Sequence, residues 1–262
     1  MQEINSMNNP TIKHVRKLQQ KKYRNQEQEY IIEGFHLIEE ALKAPKRFKF
    51  LLGTKEALDK LVANPELADL LNLNSSKIIQ INDSLAEHLS QTVTTQEIFM
   101  VLPINQPGTY SFNYGRWVIL DGLADPGNVG TIVRTADAAG YNGVVLSPYS
   151  VDIYNAKVQR SMQGSQFHLP VIRQDINAAI ASLKENDIPV LVSLLNQNAQ
   201  SVFDYGAPAQ FAIVVGNEAH GVSASVIEQA DQELYIPITG KAESLNAAVA
   251  AGILMYQLVQ VK

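Results

Sequence analysis

Four consecutive apolar residues, Trp117-Val118-Ile119-Leu120, constrain the fold more than any other feature of this chain. A strand with one wet face alternates apolar and polar side chains, whereas an unbroken run is buried on both faces, as in a parallel sheet covered by helices. Further strand candidates occur at Val144 to Leu146, Val190 to Leu195, Phe211 to Val215 and Leu234 to Ile236. Between and after them lie helix candidates near residues 128–139, 154–162, 175–186, 223–230 and 245–259. This alternation predicts an α/β domain with a mostly parallel sheet over residues 115–262.

The first hundred residues alternate in the same way but on a smaller scale. Asn9-Pro10-Thr11 opens a helical pattern carried by Ile12, Val15, Arg16 and Gln19, with proline in the first turn. Strand candidates follow at Tyr30 to Ile32, Phe48 to Leu52, Lys77 to Ile81 and Ile98 to Leu102, with helices around His36 to Leu42 and through Ala57 to Leu71. Residues 1–105 therefore read as a small α/β domain. Residues 106–114 lie in a stretch of Pro, Gly, Asn and Ser without clear period and read as the linker. A chain of 262 residues is near the size at which one core divides into two.

Charge separates the two parts. The net charge of −5 argues against a nonspecific nucleic-acid binder. Residues 1–105 nevertheless hold 13 Lys and Arg against 13 Asp and Glu, while residues 106–262 hold 8 against 13. Within the neutral half, Lys13, Arg16, Lys17, Lys21, Lys22 and Arg24 share a stretch without acid, a local basic patch. The first thirty residues contain no apolar core of a signal peptide, and no uncharged apolar run reaches membrane-spanning length, so the expected location is cytoplasmic, away from any membrane. The absence of cysteine excludes disulfides, thiolate zinc sites and a Cys nucleophile. His14, His36, His88, His168 and His220 are scattered without ligand spacing, so no metal is expected.

Three segments of the second part place glycine turns and polar side chains beside strand ends, where open α/β sheets bind ligands. The first runs from Asp121 to Arg134. Its Gly122–Gly127 spacing is that of a P-loop, but Asn128-Val129 stands where Lys-Ser/Thr would be needed, and no G-x-G-x-x-G occurs. On the helix, Val129, Ile132, Val133 and Ala136 make the buried stripe and leave Asn128, Thr131 and Arg134 at successive i+3 steps. From spacing alone, an N-cap plus a surface arginine explains these residues better. In the second segment, strand Phe211 to Val215 runs into Gly216-Asn217-Glu218-Ala219-His220-Gly221, where a tight turn capped by Ser223 accounts for the glycines but not for a carboxylate beside an amide. The third, Ile236 to Asn246, precedes a helix with Leu245, Val249, Ile253 and Tyr256 on one stripe and Leu254 and Leu258 on another. A helix apolar on nearly all sides must be covered on more than one.

Taken together, N-x-G-x-x-x-R at Asn128 to Arg134, G-N-E-x-x-G at Gly216 to Gly221 and I-P-I…S-L-N at Ile236 to Asn246 resemble the signature motifs of the SpoU (TrmH-like) ribose 2'-O-methyltransferases of the SPOUT class. The run N-P-x-I-K-x-x-x-K-L-x-x-K-K-x-R and the later E-G-x-x-L-x-x-E-A-L are similar to the ribosomal-protein-L30-like RNA-binding domain of the rRNA-directed members. The resemblance implies a catalytic domain with a deep trefoil knot and S-adenosyl-L-methionine as methyl donor. It implies cofactor contacts at Leu194, Gly216, Asn217, Ile236 and Leu245, and a catalytic set of Asn128, Arg134, Glu218, Ser244 and Asn246.

A guanidinium stays protonated in ordinary protein surroundings. Arg134 is therefore expected to clamp a phosphate and stabilise developing alkoxide charge, Asn128 and Asn246 to orient, and Glu218 to fix Arg134 or take a proton through water. The implied partners are RNA, rRNA in the first instance, held by Lys13, Arg16, Lys17, Lys21, Lys22 and Arg24, and a second copy of the chain joined through the C-terminal domain. The alternatives are a tRNA ribose methyltransferase and a non-catalytic RNA-binding protein.

Overall fold

The structure, a computed structural model, describes residues 2–44, 47–104, 110–196 and 199–259, and falls into two compact units. Residues 106–109 of the expected linker lie outside the described residues.

The first unit runs β1 (Gln2–Ile4), α1 (Pro10–Lys17), α2 (Lys21–Glu27), β2 (Glu29–Glu33), α3 (Phe35–Lys43), β3 (Phe50–Gly53), α4 (Lys55–Val62), α5 (Pro65–Leu73), β4 (Ile78–Ile81), α6 (Asp83–Leu89) and β5 (Ile98–Pro103). Its sheet has the order β1-β4-β3-β5-β2, with β5 antiparallel to both neighbours. Period-two alternation sends Ile32, Leu51, Ile78, Met100 and Leu102 to one face, under α3, α4 and α5. Ile31, Leu52, Ile79, Phe99 and Val101 point to the other, with Ile12 and Val15 of α1 and Leu85 of α6. Side-chain caps start several helices: Asn9 accepts from the Thr11 amide, Asn64 from Glu66 and Asn82 from Leu85. Each such cap contributes about 1 kcal/mol. Short β1, α2 and α6 had no clear apolar period of their own and are additions to the sequence reading.

The second unit begins with β6 (Arg116–Asp121), α7 (Pro126–Ala138) and β7 (Gly143–Leu146). The chain then leaves it. Residues 154–167, which carry α8 (Ala156–Met162), belong to the first unit, although their position in the sequence placed them in the second domain. The cause is apolar: Phe167 joins the core beneath α3, and the Tyr154 ring lies 4.6 Å from that of Tyr30. A buried aromatic of this size stabilises by about 1.5–3 kcal/mol.

From His168 onward the second unit continues through β8 (Val171–Arg173), α9 (Ile176–Glu185), β9 (Val190–Ser193), β10 (Gln200–Ser201), β11 (Phe211–Gly216), α10 (Ala224–Ile227), β12 (Gln232–Tyr235) and α11 (Ala247–Val259). Its sheet, β10-β12-β9-β11-β6-β7-β8, is parallel at every pairing. Val118, Ile119 and Leu120 of the central β6 are fully buried, as an unbroken apolar run requires. Strand β12 enters between β9 and β10, both laid down earlier in the chain. Strand β9 stops at Ser193 and β12 at Tyr235, so Leu194 and Ile236 lie just beyond strand ends. Helix α11 starts at Ala247, two residues later than expected, because the Asn246 side chain caps it: Oδ1 accepts from the amides of Ala248 and Val249.

Candidate active site

Parallel strands end on a common edge, and the turns after β9, β11 and β12 together with the entry to α11 enclose a cleft of about 500 Å3. Ser193, Leu194 and Leu195 follow or end β9, Val215 to Glu218 end β11, and Tyr235, Ile236 and Ile238 leave β12. Glu243 to Ala247 and Ala250 close it from the start of α11. Apolar walls with a few converging polar groups are the usual make-up of a small-molecule site. The volume falls in the ordinary range of small-molecule sites.

Gly216 makes the turn possible. A Cβ placed there would stand 2.2 Å from the Gly221 carbonyl carbon and 2.3 Å from the Val222 nitrogen, both backbone atoms that cannot swing aside. The hairpin so formed is closed by reciprocal amide–carbonyl bonds between Asn217 and Gly221, each 2.9 Å. Gly221 takes a positive φ of 69°. Within it, Asn217 Oδ1 accepts from the amides of Ala219 and His220, while its Nδ2 donates 2.7 Å to the Gly122 carbonyl. Asn217 therefore fixes the second motif to the first.

A polar chain joins all three motifs. Asn246 Nδ2 donates to Asn128 Oδ1 at 3.0 Å, and Asn128 Nδ2 donates to Glu218 Oε1 at 2.9 Å. Asn246 thus caps α11 with its oxygen and reaches across with its nitrogen. Asp125, not Asn128, is the N-cap of α7, accepting from the Asn128 amide at 2.8 Å ahead of Pro126. Partial burial of Glu218 acts to raise its pKa. The Asn128 amide and the backbone amides of Glu218, Ala124 and Asp125 outweigh that and hold the carboxyl below the ordinary glutamate value.

Leu194, Gly216, Asn217, Glu218, Ile236, Ser244, Leu245 and Asn246 all line the cleft, and Asn128 is bonded to two of them. Arg134 stands apart. It is exposed, six residues and so about 9 Å further along α7 than Asn128. Glu218 bonds to Asn128 and makes no bond or ion pair with Arg134 among the described residues. Ser223 sits at the N-cap of α10 without a side-chain bond there; its amide instead donates 2.8 Å to Asp121 Oδ2. Sequence reasoning missed Ser193, Leu195, Tyr235, Ile238 and Glu243 as lining residues. Adjacency to Leu194, Ile236 and Ser244 was the available signal for Ser193, Leu195, Tyr235 and Glu243, and Ile238 closes the I-P-I run. Asp125 was legible as an acidic cap directly before a proline.

In the first unit Lys13, Arg16, Lys17, Lys21 and Lys22 are exposed on α1 and α2. Arg24 is not. It is 4% exposed, and its Nη1 donates 2.8 Å to the carbonyls of both Leu18 and Gln19, so it ties the α1–α2 turn together. A positive charge in sequence does not distinguish a surface cation from a buried one that satisfies orphan helix-end carbonyls. Arg16 also donates to a carbonyl, that of His88 at 2.6 Å, but keeps its exposure. Among the described residues no cluster of three metal-ligating side chains occurs, and no helix is long and apolar enough to cross a membrane.

A parallel α/β unit with a small-molecule cleft at its strand ends, and a unit bearing an exposed basic helix, are the parts that an enzyme acting on nucleic acid needs. Residues 115–256 match the model of the SpoU rRNA Methylase family, and residues 9–100 match that of an MRM3-like substrate binding domain. The chain belongs to the SpoU family and is an S-adenosylmethionine-dependent RNA methyltransferase. It is 37% identical over 258 residues to the 23S rRNA (guanosine(2553)-2'-O)-methyltransferase RlmP of Bacillus subtilis, which covers 98% of this chain and 99% of that one. The AdoMet-bound rRNA methyltransferase of Sinorhizobium meliloti superposes with a TM-score of 0.86 at 25% identity, over 99% of this chain and 97% of that one. The SpoU methyltransferase AviRb of Streptomyces viridochromogenes, solved with AdoMet, gives 0.77 at 25% identity, over 96% and 97%.

Proposed function

We propose that this enzyme methylates a ribose 2'-hydroxyl of large-subunit rRNA, the substrate class printed in the name of the B. subtilis relative that spans nearly all of it. The observation that carries the reading is the bonded chain Asn246–Asn128–Glu218, which joins three sequence-distant motifs at the mouth of one cleft. The cleft between the β9, β11 and β12 turns holds S-adenosylmethionine, with Leu194, Gly216, Asn217, Ile236 and Leu245 against it. S-adenosylmethionine supplies a methyl group already activated on a sulfonium, so the protein's task is alignment and charge stabilisation.

Asn128 and Asn246 orient the ribose. Glu218 is the anchor of Asn128 and not a base, since a carboxyl held below its ordinary value and already accepting hydrogen bonds is a weakened proton acceptor. Ser244, exposed at the cleft wall, offers its hydroxyl for a polar contact. Arg134, exposed and always charged, grips a substrate phosphate and stabilises the developing alkoxide; the methyl–sulfonium bond breaks as the methyl–oxygen bond forms, S-adenosylhomocysteine leaves, and the 2'-hydroxyl proton passes to solvent water. Lys13, Arg16, Lys17, Lys21 and Lys22 of the first unit hold the rRNA backbone, and an rRNA substrate places the enzyme in the cytoplasm. Labelled S-adenosylmethionine and an unmodified large-subunit rRNA transcript test the reading: label is expected in a 2'-O-methylated nucleoside, and label in a methylated base overturns it.

The working form is a homodimer joined along α11. Leu254, Met255 and Leu258 are buried within the unit, but Val249 is 52% and Tyr256 44% exposed, with half-buried Ile253 on the same stripe. Such a stripe on an otherwise apolar helix is satisfied by its own image across a two-fold axis. Light scattering at micromolar concentration should give twice the chain mass, and a monomer mass for cofactor-binding protein refutes it.

A further inference from the structure

Tyr149, in the loop after β7, is 90% exposed, yet the loop that carries it is tied down on every side. Arg173 Nη1 donates to the carbonyls of Pro148 at 2.8 Å and Ser150 at 3.0 Å, and its Nη2 to Val151 at 2.5 Å. The Ser147 and Ser150 hydroxyls bond to each other at 3.0 Å, and Ser150 Oγ reaches the Leu120 carbonyl at 3.2 Å. The Val151 amide donates to the Leu123 carbonyl at 3.0 Å. One guanidinium and two buried serines thus hold three carbonyls in place around an aromatic ring that stands almost wholly clear of the described residues of its own unit. A large apolar surface left fully in water gains nothing for folding, and fixing it in one place lowers only the entropy cost of meeting a partner.

The loop belongs to the reaction edge of the sheet. Leu146 at the end of β7 is in register with Leu120 of β6, and the Gly122 amide donates 3.0 Å to Ser147 Oγ. Gly122 is also the residue whose carbonyl receives Asn217 Nδ2. The same short turn therefore joins the Tyr149 loop to the second motif and leads on to Asn128. The unit around it is acid-rich, with 6 basic against 13 acidic residues over 106–153 and 168–262, so charge gives it little hold on a polyanion. A neutral stacking surface does not have that handicap.

We infer that Tyr149 is a nucleobase-stacking platform, holding a base of the RNA substrate next to the ribose that is methylated. Stacking on an aromatic ring tolerates any base and adds no phosphate contact. The inference rests on the RNA-methylating reading above. In the full-length protein, Tyr149→Ala is expected to raise the KM for the rRNA transcript about ten-fold with unchanged affinity for S-adenosylmethionine. Its thermal midpoint should also stay unchanged, because the ring is not packed. Tyr149→Phe should behave like the wild type, and the log–log dependence of RNA binding on salt should keep its slope in both variants. A Tyr149→Ala enzyme with wild-type KM overturns the inference, as does a Phe variant as impaired as the Ala variant or a flattened salt slope. Wild-type protein that transfers no methyl to RNA ribose would instead overturn the reading beneath it.

Discussion

The two units present their polar groups in opposite ways. In the second, the side chains around the cleft are bonded to one another: Asn246 to Asn128, Asn128 to Glu218, Asn217 to the Gly122 carbonyl. In the first, Lys13 and Lys21 are exposed with no hydrogen bond or ion pair among the described residues, and Lys17 and Lys22 lie only over the Tyr23 ring, at 5.4 and 5.9 Å. A bonded network fixes positions before any substrate arrives, which is what a reaction coordinate needs. Unpaired lysines on long stems supply a field, which is what holding a charged polymer needs. Geometry matters in one unit and charge in the other, and paired substitutions that keep one while removing the other can break the distinction.

The largest effect is expected at Arg134. Arg134→Lys preserves the charge and removes the planar fork, so methyl transfer should fall by at least about 100-fold, with S-adenosylmethionine affinity nearly unchanged by calorimetry. Lys17→Arg, an equally charge-preserving change in the first unit, should leave turnover within about two-fold. A mild Arg134→Lys enzyme would mean that charge alone suffices in the second unit as well.

Within the network, Asn128→Ala and Asn246→Ala should be strongly non-additive in kcat/KM, with a coupling of about 0.5–3 kcal/mol, because each removes a bond that positions the other. Additive losses would show that the two amides act independently. Glu218 sets the pH range of this network. Its folded-state pKa is lowered, so the stabilisation that its hydrogen bonds give is present above the ordinary glutamate value and is lost as the pH falls through the lowered one. The wild-type kcat/KM profile should therefore carry no Glu218 limb near neutrality, and an inflection near pH 6 that Glu218→Gln abolishes would contradict the bonding described.

The two units also differed in how much of them could be read in advance. The central strand β6 and the parallel sheet were legible, because an unbroken run such as Trp117 to Leu120 has few other uses. The cleft residues were legible only through their joint motif pattern, since Ser244, Asn128 or Glu218 alone would serve equally as a surface or capping residue. What sequence could not show is how side chains are shared: that Asn246 both caps α11 and holds Asn128, or that Asp125 takes the cap position of α7. Nor does local pattern reveal that residues 154–167 pack with the first unit, because helix α8 looks the same whichever core receives it.

Arg24 gives the next largest effect and divides the basic stretch into structure and surface. Its buried guanidinium satisfies the Leu18 and Gln19 carbonyls, and Arg24→Met should cost about 1.5–3 kcal/mol in a denaturant titration. Lys21→Met, three residues earlier on exposed surface, should stay within about 0.5 kcal/mol. Equal losses would return Arg24 to the surface set.

The smallest effect sharpens the contrast most. Lys17 is exposed on α1, and removing its charge in Lys17→Gln should leave folding, cofactor affinity and the rate at saturating RNA unchanged. What should change is the salt dependence of RNA binding. Each lysine that neutralises a phosphate releases condensed counterions, so losing one such contact flattens the log–log slope by about 0.9 for a duplex and about 0.7 for a single strand. Lys13→Gln and Lys21→Gln should add similar decrements, because exposed cations acting through a field do not depend on one another's geometry. Substitutions in the second-unit network should lower turnover while leaving that slope alone. If Lys17→Gln instead lowers the rate at saturating RNA and leaves the slope unchanged, the first unit positions its substrate by geometry too, and the division between a unit that aligns and a unit that attracts fails.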